Sequence, residues 1–242
     1  MGAELPMVLG KNLVGIYLYG SLTQAAFNPK RSDVDAIVVT TRALTTREFR
    51  AVGRWLRRRA AANPLGRRLQ LSFLIKNRIL TPGAPSCLYQ FGRLVRRRSD
   101  GNPIIWLNVL ESGIVLAGPP ARSFVPPISD AMLNAALKRE LNYLRREIIT
   151  KSRSRWRNVG FYRIYAVLTV CRILYSLRTR TVPSKATAAR WAIDRLPANH
   201  RRLIRRALQA HNGGGSTALR VSDIAGLIEF AEPIVSAASA PS

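Results

Sequence analysis

Leu13 to Thr40, LVGIYLYGSLTQAAFNPKRSDVDAIVVT, is the stretch on which the reading of this chain turns. Leu13 to Tyr19 is a short apolar, β-rich run that stops at Gly20-Ser21, as a buried strand does before a turn. Val34 to Thr40 is a second such run. The residues between them include Asn28-Pro29 and small polar side chains, a loop composition that predicts an adjacent antiparallel pair. On a strand, side chains two apart project to one side, so Asp33 and Asp35 form a pair of carboxylates. Two hard oxygen ligands suit Mg²⁺, which keeps waters and shares substrate phosphates. Gly20 permits close backbone approach, and the Ser21 hydroxyl with neighbouring N–H groups suits phosphate oxygens. A bland alternative is that the two aspartates only solubilise a loop edge. The first 99 residues hold just four acids, however, and two of them stand here.

Outward from this stretch, Thr45-x-x-Glu48 forms a capping-box pattern, and Phe49, Val52, Trp55 and Leu56 recur at helical spacing while Arg50, Arg54 and Arg57 face away. Pro64 and Gly66 end that helix. Leu69, Leu71, Phe73 and Ile75 then alternate as a third strand. Residues 77 to 102 are poor in pattern, and a helix over 104–110 and a strand over 113–116 follow. Gly118-Pro119-Pro120 and Pro126-Pro127 break the chain, and beyond them the pattern is wholly helical, roughly over 130–152, 158–178, 184–195, 198–210 and 218–235. The expected fold class is α+β, with a small mixed sheet in an α/β domain over 1–120 and an all-α bundle over 121–242. Gly213 to Ser216 reads as a flexible link and Ala237 to Ser242 as a frayed tail.

Composition bounds the possibilities. The 242 residues carry 39 Lys and Arg against 13 Asp and Glu, a formal charge of +26, yet are 47% hydrophobic. That apolar content excludes a disordered polycation. No apolar run approaches the ~18 residues of a membrane span, and Glu4 stands where a signal peptide carries positive charge, so a cytoplasmic protein is expected. Cys87 and Cys171 lack metal-ligand spacing and read as buried thiols. Thirty-three of the basic residues are Arg, clustered at 57–59, 96–98, 201–202 and 205–206. Such a field attracts RNA or another polyanion, but solvated helix faces and coding bias explain it equally well.

The pattern of Gly20-Ser21, a loop, and Ser32-Asp33-Val34-Asp35 resembles the nucleotidyltransferase superfamily that includes DNA polymerase β. A closer resemblance covers most of the chain. Leu168-Thr169, Arg172-Ile173, Tyr175-Ser176, and Lys185-x-x-Ala188-Ala189-x-Trp191-Ala192-x-Asp194-Arg195-Leu196-Pro197 are similar to the C-terminal domain of streptomycin/spectinomycin adenylyltransferases. Ile114 to Pro119, IVLAGP, resembles the sheet exit of that antibiotic-resistance family. The resemblance implies an N-terminal nucleotidyltransferase domain and a C-terminal bundle, with ATP, Mg²⁺ and substrate in a cleft between them. It implies transfer of AMP from ATP to a hydroxyl acceptor, releasing pyrophosphate. It also implies that Asp33 and Asp35 hold the metal, that Gly20, Ser21 and Ser32 bind phosphate, and that Arg172 and Lys185 reach the nucleotide phosphates.

Two departures shape the expected activity. The family's third carboxylate, a glutamate general base, falls on the strand LQLSFLI at Gln70, which cannot accept a proton from an attacking hydroxyl. Asp100 and Glu111 are the other acids to which that role would fall. Where the family uses acids to hold a cationic aminoglycoside, this chain has Arg153 to Arg157 and Phe161 to Arg163, so a cationic drug would be repelled. Trp156, Phe161 and Tyr162 either stack on a planar ligand or, the favoured reading, pack in the core. The expectation is a nucleotidyltransferase with impaired chemistry and an altered acceptor. The alternative is a catalytically degenerate nucleotide- or RNA-binding member of the same fold.

Overall fold

β1 (Leu13–Tyr19) and β2 (Val34–Thr40) pair antiparallel, with Tyr19 opposite Asp35, and this hairpin is the centre of a six-stranded sheet. The computed structural model describes residues 1–29, 32–151, 154, 159–213 and 218–239. It divides into two compact units, Met1–Pro127 and Ile128–Ser242.

In the first unit the sheet order is β5-β4-β3-β2-β1-β6, an α+β arrangement with a mixed sheet. β3 (Leu69–Ile75) runs parallel to β2, and every other neighbouring pair is antiparallel. A parallel pair needs a crossover, and α2 (Thr46–Ala62) with the short α3 (Pro64–Arg67) supplies it. Val52, Trp55 and Leu56 of α2 bury against Val34, Ala36, Val38, Leu71 and Phe73, the alternate residues of β2 and β3. The arginines of α2 at 50, 54 and 57 are exposed, as the helical period requires. An N-terminal helix, α1 (Glu4–Leu9), was not signalled by periodicity because it spans under two turns. Its Glu4 Oε2 accepts a 2.6 Å hydrogen bond from Trp55 Nε1, and Leu5 and Leu9 join the same core.

The pattern-poor residues 77 to 102 contain a hairpin, β4 (Pro85–Gln90) and β5 (Arg93–Arg98), which extends the sheet at its edge. β5 is mostly exposed and carries four arginines, so its sequence shows no apolar alternation. α4 (Pro103–Ser112) and β6 (Ile114–Ala117) complete the unit. The residues of β2 and β3 that point away from α2, among them Asp35 and Gln70, lie on the opposite face. There Tyr17 of β1 packs edge-on to Trp106 of α4 at 6.4 Å.

The Thr45 cap of α2 gives a direct test. Thr45 Oγ1 accepts from Glu48 N at 3.2 Å, and Glu48 Oε2 accepts from Thr45 N at 2.8 Å and from Arg42 Nη1 at 2.9 Å. The Arg42 hydrogen bond, with the Thr45 donors, pulls the Glu48 carboxyl down to about 2. Its contribution to stability is therefore complete above the ordinary 4.5 and is lost as pH falls toward about 2. Glu48→Gln should lower the melting temperature at pH 7 by about 2–4 °C, the equivalent of about 1 kcal/mol. Thermal melts from pH 7 to pH 2 should show the two proteins converging within that window.

In the second unit α6 (Gly160–Thr179) is apolar on nearly all sides. Ala166, Val167, Leu168, Val170 and Cys171 have no exposed surface, because α5 (Asp130–Arg145), α7 (Lys185–Arg195), α8 (Ala198–His211) and α9 (Val221–Ala238) all pack on it. α5 passes into one π turn at Arg146–Thr150, so the regular helix expected over 130–152 ends earlier. α9 continues to Ala238, two residues into the stretch read as a tail. Phe161 corrects a further expectation, since it is 65% exposed and not core. It lies in the first turn of α6, with the Tyr162 ring edge-on at 5.5 Å. Trp156 and the arginines at 153, 155 and 157 lie outside the described residues, as do Gly214 to Ser216 and the last three residues of the chain.

Candidate active site

Gly20 ends β1 with φ +79°, a conformation that glycine adopts without strain, and the chain then turns through one 3₁₀ turn, Gly20–Leu22. Thr23 N and Gln24 N both donate to the Gly20 carbonyl. A Cβ at position 20 would stand 2.9 Å from Asp35 Oδ2. The glycine thus leaves open the space directly beside a carboxylate, and any side chain there would fill it.

Asp33 precedes β2 and Asp35 is its second residue, and both aspartates lie partly buried. The register sets Gln70 of β3 beside Asp35. The Gln70 side chain reaches the other aspartate, with Nε2 donating to Asp33 Oδ2 at 2.6 Å. Gln90 of β4 in turn donates from Nε2 to Gln70 Oε1 at 3.1 Å. This relay fixes which end of the Gln70 amide meets Asp33. The structure therefore brings Asp33, Asp35 and Gln70 together on one face, beside Gly20. Ser32 pins the loop that leads into them: its N donates to Asn28 O at 2.8 Å, and its Oγ accepts from Asn28 N at 2.9 Å.

Two residues here carried no motif signal. Asn108 of α4 is 3% exposed, and its Oδ1 accepts from Gly20 N at 2.8 Å. Its Nδ2 is buried without a hydrogen-bond partner. Arg68, just ahead of β3, donates from Nη2 to the carbonyl of Pro29 and keeps Nη1 buried and unpartnered. A buried donor without an acceptor is costly, and an anionic ligand against the Gly20 and Asn28–Ser32 loops would relieve both. Only the apolar surroundings of Asn108, in Pro103–Ser112, mark it in the sequence as a polar residue in a buried helix face.

The remaining acids fall differently. Asp100 follows β5 beyond the end where Arg98 pairs with Pro85, beside the turn in which Gly83 N donates to Ser99 O. That is the end of the sheet opposite Asp35, so Asp100 is no substitute base. Glu111 lies on the last turn of α4, next to Ser112, whose Oγ is 3.3 Å from Thr23 Oγ1. Glu4 and Glu48 are committed to Trp55 and to the α2 cap. Among the described residues no three His, Cys, Asp or Glu side chains gather as a metal site. Asp33 and Asp35 make a two-carboxylate set, which fits a magnesium ion that completes its shell with water and phosphate oxygens.

In the helical unit, Arg172 lies on α6 with its Nε buried and unpartnered. Lys185 is the first residue of α7, behind the Ser184 cap, and its Nζ lies 4.7 Å from the Tyr165 ring centroid. A cation at a helix N-terminus opposes the helix dipole and suits an anion placed there.

Comparison with known proteins agrees with this architecture. Residues 123–236 match the family described as aminoglycoside adenylyltransferase, C-terminal domain. The chain is 25% identical over 222 residues to spectinomycin 9-adenylyltransferase of Campylobacter jejuni, covering 85% of this chain and 81% of that protein. It is 28% identical over 224 residues to aminoglycoside (3'') (9) adenylyltransferase of Klebsiella pneumoniae, covering 85% and 80%. In fold it is similar to the crystal structure of spectinomycin adenyltransferase AAD(9) from Enterococcus faecialis with ATP and spectinomycin. That likeness has a TM-score of 0.75 at 17% identity over 96% of this chain and 95% of the other. No described helix is long and apolar enough to cross a membrane. The chain is thus similar in sequence, through both units, to aminoglycoside adenylyltransferases, and over both units it shares the fold of AAD(9).

Proposed function

We propose that the chain transfers an adenylyl group from ATP, with Mg²⁺, to the hydroxyl of an acceptor that is not a cationic aminoglycoside, and that it does so slowly. The observation that carries this reading is the Gly20 turn set against Asp33 and Asp35, with the Gln70 amide donating to Asp33 at the position where the resemblance implies a glutamate. In the sequence-based domain assignment, 1–120 does the chemistry and 121–242 contributes Arg172 and Lys185 as phosphate contacts. Asp33 and Asp35 would hold the metal, which when bound neutralises charge on the phosphates during displacement at the α-phosphorus. Gly20 leaves room for the phosphate chain beside Asp35, and Ser21 with Ser32 offers hydroxyls to it. Asn108 keeps the Gly20 turn in its left-handed conformation through the Gly20 N hydrogen bond. The acceptor hydroxyl loses its proton to water or to Glu111, because the Gln70 amide presents N–H to Asp33 and has no basic atom.

The same hydrogen bond favours a second reading, nucleotide binding without turnover. One assay separates them. Pyrophosphate release should be measured with ATP and Mg²⁺ against streptomycin, spectinomycin and a panel of neutral and anionic alcohols. Streptomycin and spectinomycin should be poor substrates, because residues 152 to 163 carry four arginines and no acid. Efficient adenylylation of either drug would overturn the acceptor assignment. ATP binding with no pyrophosphate release for any acceptor would establish the second reading.

A further inference from the structure

At the end of the sheet opposite Asp33 and Asp35, and on its other face, lies a pocket of about 250 Å³. It is bounded by the ends of β2 and β3 at Thr40 and Ile75, the start of β4, the end of β5, and the Ala43–Leu44 turn into α2. Five residues of strand separate Asp35 from Thr40, about 17 Å at the usual rise, so the pocket is distinct from the candidate active site. Its floor is apolar, made by Leu44, Phe73, Ile75 and Cys87, and its rim is Arg96, Arg97 and Arg98.

The guanidinium groups of this rim are held in place. Arg96 donates from Nη1 to Leu44 O at 2.9 Å and stacks 4.6 Å from the Phe49 ring centroid. Arg98 donates from Nη1 to Gly83 O at 2.9 Å, and Arg97 from Nε to Arg98 O at 3.2 Å. Each of these bonds uses one of five N–H donors, and the others remain for a ligand. No acid lines the pocket, and no ion pair among the described residues involves these arginines. Arg96 and Arg98, two apart on β5 and so on one face of the sheet, are like charges whose repulsion a bound anion removes. Anchored guanidinium groups also lose little freedom on binding, and their planar forks match phosphate oxygens.

We propose that this pocket binds a small organic phosphate monoester, its apolar body on the Phe73–Cys87 floor and its phosphate on Arg96 and Arg98. The competing account is that the arginines only keep the edge strand β5 from pairing with another chain. Backbone amide NMR of the full chain separates the two, with phenyl phosphate and inorganic phosphate as probes. Phenyl phosphate should shift Ser86, Cys87 and Arg96 to Arg98 saturably and bind more tightly than inorganic phosphate. Arg96→Gln and Arg98→Gln should each weaken it on the order of tenfold, the loss of one charge-assisted hydrogen bond, with melting curves showing that both variants fold. No saturable shift at these amides, shifts confined to Gly20 and Ser21, or undiminished affinity in both variants overturns the proposal. So does binding of a single-stranded oligonucleotide that is lost in the variants while phenyl phosphate fails to bind, which would make the rim a polyanion surface.

Discussion

Gln70→Glu should raise single-turnover adenylyl transfer about tenfold to a thousandfold once a true acceptor is supplied, the range a well-placed general base provides. In the wild type the Gln70 amide gives its N–H to Asp33 Oδ2 at 2.6 Å. The substitution replaces that bond with two facing carboxylates, an arrangement stable only with a cation between them. Gln90 already donates to Gln70 Oε1 and would donate equally to a glutamate oxygen, so the new carboxylate inherits a fixed orientation. Two measurements should therefore move together. Without Mg²⁺ the variant should melt below the wild type, and with Mg²⁺ it should recover more stability than the wild type gains. If instead the wild type is fast, and both Gln70→Glu and Glu111→Gln slow it, Glu111 is the base and the impaired-base reading fails. Asp100→Asn should leave the rate unchanged, as its place at the far end of the sheet requires.

Asp33→Asn and Asp35→Asn should each reduce transfer by about 10²–10³-fold, the scale seen when a group that stabilises transition-state charge is removed. The two variants should differ in stability. Asp33 accepts the Gln70 hydrogen bond, and an asparagine there can turn its own carbonyl oxygen to the same N–H, so Asp33→Asn should fold as well as the wild type. Asp35 has Gly20 packed beside its carboxylate, where an amide N–H also fits but holds no metal. Isothermal titration of ATP with and without Mg²⁺ reads the effect directly. Metal-dependent affinity that survives in both folded variants would show that these aspartates are not the metal site.

Much of the frame was legible because its signals are local. The alternation in LQLSFLI and the runs 13–19 and 34–40 match β3, β1 and β2 residue for residue, since each strand is buried on the α2 face. The Thr45-x-x-Glu48 pattern became a complete capping box for the same reason, four residues meeting within one turn. The hairpin β4–β5 was invisible because an edge strand bearing Arg93 and Arg96 to Arg98 has little apolar surface to bury, and strand propensity is overridden there by its pairing with β4. In the candidate site, Asp33, Asp35 and Gly20 are neighbours across one hairpin and could be found from spacing. Asn108 meets Gly20 from 88 residues away, and Gln90 meets Gln70 across β3 and β4. Only the register of the folded sheet brings those partners together.

β6 adds to the outer side of β1, pairing Leu18 with Ile114, and Tyr17 OH donates to Pro119 O at 2.8 Å from 102 residues away. During synthesis, then, the strand that leads into Gly20 waits at an open edge until nearly the whole first unit has left the ribosome. The helices that follow depend chiefly on one another, with short connections between α6, α7 and α8. Such long-range closure slows folding, whereas local helix pairing is fast. A nascent chain arrested before Ile114 should therefore be open to protease near β1, and one extended past Pro119 should be protected, so that the Gly20 turn is among the last parts of its unit to become ordered.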